Sequence, residues 1–185
     1  MKFKMRNSKF KTPLSFLICL SVAFSFSACG EKPLMGVAVA MNISTDIKRE
    51  LRAKGFLSAA DDRAASAAML EITQATLFVT DAAECFEKFT PEIKAELLNK
   101  LDYALVYSEA LKNSSFAKSN SRWSKTIKAI HIGLKGLHFY LSLLPARDVL
   151  NNSEAGKIKN LREWCKRASV KLHQAQRKLF EDLNQ

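Results

Sequence analysis

The sequence predicts an all-α protein: an antiparallel up-and-down bundle of four long helices plus a short N-terminal helix. Apolar residues recur at helical spacing through four separate stretches, in three of them at strictly alternating steps of three and four, and no stretch alternates with the period of a strand strongly enough to compete. Hydrophobic residues make up 48% of the chain and aromatic residues 9%, enough to build a packed core. No internal repeat of roughly 20–50 residues occurs, so a solenoid is excluded.

The first helix is the least defined. Lys32-Pro33 to Ser44 reads as a tether or as a helix start, because LMGVAVAM is apolar without a clear period; Ile47 and Leu51 lie four apart, and Gly55 offers a stop near Lys54. Ser58 and Asp61 have capping-box spacing. After them Ala65, Ala68, Ile72, Ala75, Val79, Ala82, Phe86 and Phe89 form one apolar stripe.

Thr90-Pro91-Glu92 is the next start signal: a hydroxyl cap, a proline where no N–H is needed, and a carboxylate favoured by the helix dipole. Ile93, Leu97, Leu101, Ala104 and Leu111 mark the third inner face, and NSSFAKSNS from Asn113 to Ser121 reads as a loop. Trp123, Ile127, Ile130, Leu134, Leu137, Leu141 and Leu144 follow without a miss before Pro145. The last stripe is Ile158, Leu161, Cys165, Ala168, Leu172, Ala175 and Leu179. Stripes of this kind pack neighbouring helices at shallow angles.

The opening residues carry a different message. Lys2, Lys4, Arg6, Lys9 and Lys11 precede the apolar run PLSFLICLSVAFSFSAC from Pro13 to Cys29, which ends in small residues. This is the charged, apolar and cleavable order of an export signal. The run is diluted by four serines and falls short of the roughly 20 apolar residues a spanning helix needs. Phe26-Ser27-Ala28-Cys29 resembles the lipobox of bacterial lipoproteins, although Phe26 stands where that family usually has Leu or another aliphatic residue. The resemblance covers the first 29 residues and implies removal of 1–28 and attachment of diacylglycerol to Cys29. It also implies a place in the cell envelope, with Gly30 favouring the outer membrane and a bundle facing the periplasm. The expected organisation is thus a signal peptide over 1–28, a lipidated N-terminus and tether over 29–44, and a bundle over 45–185.

The formal charge of +11 is unevenly spread. Residues 1–29 contribute +5; residues 30–112 hold ten Lys/Arg against thirteen Asp/Glu, and residues 113–185 hold fourteen against five, so the excess sits late in the chain. Arg122, Lys125, Lys128 and Lys135 on one helix, and Lys159, Arg162, Lys166, Lys171 and Lys178 on the next, lie off the apolar stripes. They make either a solvated face or a basic helical hairpin that contacts anionic lipid or an acidic partner protein. The expected location, not the charge, argues against nucleic acid. Cys85 and Cys165 are either a disulfide pair, favoured by an oxidising compartment, or two buried thiols.

His131 and His138 stand two turns apart, roughly 10 Å of rise, too far to bind one ion from a single helix. No nucleophile elbow, phosphate loop, zinc helix or repeated Glu-x-x-His occurs. The reading is therefore a non-enzymatic, membrane-anchored interaction or structural module without cofactor, metal or catalytic residues. The alternative is a small ligand- or cofactor-binding bundle with a pocket near His131 or His138.

Overall fold

The computed structural model describes residues 31–84, 89–146 and 152–184, which form six helices and no β-strand. They are α1 (Glu31–Ala53), α2 (Ala59–Glu84), α3 (Pro91–Asn113), α4 (Ser115–Ser119), α5 (Ser121–Leu143) and α6 (Asn152–Leu183). Cys29 and Cys85 lie outside the described residues, and so do the lipid site and one member of the cysteine pair. Cys165 is buried in the core.

The stops and starts follow from local chemistry. Gly55 adopts φ +70°, and the bonds Gly55 N–H to Arg52 O and Phe56 N–H to Leu51 O close α1 in a Schellman turn. Ser58 Oγ accepts from Asp61 N–H and donates to the Asp61 carboxylate, opening α2. Thr90 caps α3 through Ile93 N–H, with Pro91 in its first turn. Between α3 and α5 the expected loop contains the five-residue α4, because Ser114 caps Ala117 N–H and Asn120 caps Trp123 N–H. Phe116 of α4 then packs edge-on to Trp123, 5.2 Å between ring centres.

The inner stripes expected for α5 and α6 are buried at every position the structure describes, from Trp123 to Leu144 and from Leu161 to Leu179. The first helix is not short, however. α1 has 23 residues, as many as α3 or α5, and the bundle takes in the supposed tether from Glu31 onward. Leu34, Val37, Ala38, Met41, Ile47 and Leu51 are all buried. Among the described residues, the apolar core runs from Leu34 to Leu179.

α1 packs against both α5 and α6, α2 against α3 and α6, and α3 against α5, giving a closed circuit of five long helices. α5 and α6 are therefore not a packed hairpin. α1 separates them along most of their length, and they meet where the Tyr140 and Trp164 rings come within 6.3 Å. Because five is odd, strict up-and-down alternation cannot close the circuit, and one neighbouring pair must run parallel. That pair is α1 and α6, as the contacts Asn42 to Lys171 and Arg49 to Asp182 show.

The parallel seam is polar. Asn42 donates to Lys171 O, Lys178 Nζ lies 2.6 Å from Asp46, and Arg49 reaches Glu181 at 2.9 Å and Asp182 at 2.8 Å. At its upper end Lys48 is fully buried, with Nζ 2.6 Å from Asp62 of α2 and 2.7 Å from Asp182 of α6. The first contact is an aligned hydrogen bond; the second is an ion pair off the hydrogen-bonding direction. One lysine thus ties three helices together.

Candidate functional site

Helix α5 has four sides, each with its own composition. The inner side is the apolar stripe. The side facing α1 carries Gly133 and Gly136, whose missing side chains admit Val37 and Pro33. The side facing α3 carries both histidines: His131 Nδ1 is 2.8 Å from Ser108 Oγ and His138 Nε2 is 3.2 Å from Asp102. The outer side reads Lys125, Lys128, Ile132, Lys135, Phe139 and Leu143, again at steps of three and four.

On that outer side Ile132 is 52% exposed, Phe139 64% and Leu143 65%. Lys125, Lys128 and Lys135 on the same side are also exposed, and none has an ion-pair partner among the described residues. At the same height on α3, Tyr103 and Val106 are also exposed, at 59% and 66%. This side of α5 therefore combines exposed apolar area with unpaired positive charge.

The remaining basic residues are arranged differently. Arg122 pairs with Glu50 of α1 at 3.0 Å, Lys178 is spent on Asp46, and Lys166 lies 3.9 Å from Glu163. Arg162 is half-buried, and Lys159 and Lys171 are exposed. These α6 residues are separated from the α5 row by α1. The basic residues expected to share a hairpin therefore occupy two faces, because α1 packs between α5 and α6.

Where the upper parts of α3 and α5 meet α4, a cleft of about 570 Å³ is lined by Lys112, Asn113, Lys118, Ser124, Lys128, His131 and Ile132. Sequence reasoning missed Lys112 and Lys118, which come from two other elements. Glu109 sits beside this cleft and accepts from Lys112 at 2.6 Å and Asn113 at 2.9 Å, with His131 Nε2 at 3.4 Å. Hydrogen bonds from Lys112 and Asn113 hold its carboxyl below the usual carboxylate range. Ser108 Oγ also lies 2.8 Å from Leu105 O, so its single hydroxyl proton serves either that carbonyl or His131 Nδ1, and the imidazole tautomer follows from that choice.

Burial pushes the His131 imidazole below its ordinary pKa, reinforced by Lys135 and Lys112 and opposed by Glu109. The unfolded chain takes up this proton near pH 6.5, the fold only at lower pH. The folded state therefore gains stability that is complete above about 6.5 and is lost as the pH falls through the lowered value. Urea midpoints across pH 5–7.5 are expected to show this decline, and His131→Gln is expected to flatten it; an unchanged slope in the variant would assign the decline to other groups.

Among the described residues, no three His, Cys, Asp or Glu side chains come together to hold a metal ion, and no helix is long and apolar enough to cross a membrane. His173 is exposed and bonds back to Ser169 of its own helix. What the arrangement offers chemically is attraction for anions and an apolar surface beside it. No protein-family model matches this chain, and neither the curated proteins nor the solved structures include one similar to it.

Proposed function

We propose that the protein is a lipid-anchored protein of the bacterial envelope, held in the outer membrane on its periplasmic side, that acts by interaction rather than catalysis. Its working surface is the outer side of α5 laid against an anionic bilayer. The observation that carries this reading is the row Lys125, Lys128, Ile132, Lys135, Phe139 and Leu143, which puts three exposed apolar groups and three unpaired lysines on one side of the helix.

Two further features support it. The lipobox-like segment before Gly30 argues for an acyl anchor at Cys29, and two or more chains hold firmly where one binds marginally. Pro33 packs against Gly133 and Gly136, so the chain enters the bundle beside α5, and Cys29 precedes Pro33 by four residues, at most about 14 Å of chain. An anchor at that position and the outer side of α5 can reach the same bilayer.

The test is sedimentation of a chain beginning at Gly30 with vesicles of phosphatidylglycerol or of phosphatidylcholine over a salt series. Binding is expected on the anionic vesicles, weakening as salt screens the lysines, and falling at least about tenfold in Phe139→Ser/Leu143→Ser, which removes buried apolar area. Equal binding to both lipids, or no effect of the double substitution, would overturn the reading.

A further inference from the structure

We propose that the cleft at the junction of α3, α4 and α5 is a binding site for a phosphate ester, held by Lys112, Lys118 and Lys128 with Ser124 and Asn113 as neutral donors. This goes beyond the bilayer reading and does not depend on it, because the cleft is built by three elements of which only α5 contributes to the outer face.

The donor set points to phosphate. The three lysines come from α3, α4 and α5, so they converge as separate point charges from different directions. A tetrahedral anion with several charged oxygens can meet all of them, whereas a planar carboxylate is matched best by the fork of an arginine, and the cleft contains no arginine. Its volume, about 570 Å³, lies in the range of small-molecule sites and exceeds what a bare phosphate fills, and Ile132 supplies an apolar wall for an organic portion.

Charge bookkeeping within the cleft favours the same conclusion. Lys118 and Lys128 are exposed and have no ion-pair partner among the described residues, while Lys112 is held by Glu109. Glu109 thus occupies part of the donor set from inside the protein, collecting Lys112, Asn113 and His131. An incoming phosphate competes with this carboxylate for Lys112 and Asn113. Its negative charge also favours the protonated form of the His131 ring, so binding strengthens as the pH falls below neutrality.

The probes are inorganic phosphate and glycerol 3-phosphate, titrated into the full chain in a neutral detergent. Heat is the first readout, and the second is the His131 ring proton resonance followed against pH. Glycerol 3-phosphate is expected to bind more tightly than inorganic phosphate and to shift the His131 titration to higher pH. Lys118→Gln/Lys128→Gln is expected to weaken binding at least about tenfold, and Glu109→Gln to tighten it several-fold by removing the competing carboxylate. Lys159→Gln/Lys171→Gln, which changes the net charge equally on the far side of the bundle, is expected to leave it unchanged. Equal losses in the two lysine pairs, or no tightening in Glu109→Gln, would overturn the proposal.

Vesicles of phosphatidylglycerol separate the sources. Lys118 lies off the outer row of α5, so weaker vesicle binding in Lys118→Gln supports a lipid headgroup, and unchanged vesicle binding with lost glycerol 3-phosphate binding supports a soluble ester. Loss of vesicle binding in Phe139→Ser/Leu143→Ser with phosphate binding intact separates the bilayer face from the cleft.

Discussion

Replacing Lys48 with alanine is expected to destabilise the bundle by about 3–5 kcal/mol, because it leaves two carboxylates without their shared cation in a site closed to water. Lys48 has no exposed surface, and Asp62 and Asp182 are 3% and 5% exposed. Arg52 at 3.2 Å from Asp62 and Arg49 at 2.8 Å from Asp182 remain, but their side chains are about one-third exposed and reach the acids from the rim. The loss corresponds to a fall in Tm on the order of 10 °C for a domain of this size. Lys54→Ala, which breaks the exposed pair with Glu50, is expected to cost less than about 0.5 kcal/mol. Urea unfolding of the two variants measures the difference, and similar losses in both would show that the buried cluster does not couple α1, α2 and α6.

The second large effect is expected at Gly133. An added methyl group there would lie 2.6 Å from Val37 Cγ2 and 3.2 Å from Pro33 O, and the second of these is backbone. Alanine gains about 1 kcal/mol of helix propensity over glycine, but overpacking a close helix contact costs about 1–3 kcal/mol, and α1 must move off α5. Gly133→Ala is therefore expected to destabilise despite the better helix former. Val37→Ala in the same chain is expected to recover part of the loss, since it removes the nearer clash. Gly136→Ala, whose added methyl group would meet the Pro33 ring at 3.3 Å, is expected to be much milder. A Gly133→Ala variant more stable than the parent would mean that α1 does not dock as closely as described.

The helices that were legible from sequence are those buried along one stripe. α5 and α6 show a clean alternation of threes and fours because each faces the core on one side. The stop at Gly55 and the starts at Ser58 and Thr90 were also legible, since each needs only a few adjacent residues. α1 was obscured for the opposite reason. It is buried against α5 on one side and α6 on the other, so Leu34, Val37, Ala38, Ala40, Met41 and Ser44 leave almost no polar gap from which to read a period. α4 is too short to show a period at all.

The candidate sites divide in the same way. The lysines of α5 could be read because they lie on one helix, but the exposure of Ile132, Phe139 and Leu143 could not, since apolar residues in a helix are expected to face inward. The cleft depends on Lys112 and Lys118 arriving from other elements. Lys48 reads in the sequence as one more surface charge, and its burial follows from partners 14 and 134 positions away in the chain. The grouping of basic residues on α5 and α6 into one hairpin failed because nothing local reveals that α1 inserts between them.

The central claim, that the outer side of α5 faces an anionic bilayer, is tested most directly by depth. Nitroxide labels at Phe139→Cys on α5 and Gln174→Cys on α6, each in a Cys85→Ser background, report on collision with oxygen from the lipid and a nickel chelate from the water. On phosphatidylglycerol vesicles the label at 139 is expected to favour oxygen strongly, and the label at 174, on a helix separated from α5 by α1, to favour the chelate. Equal access of the chelate to both positions would contradict the claim.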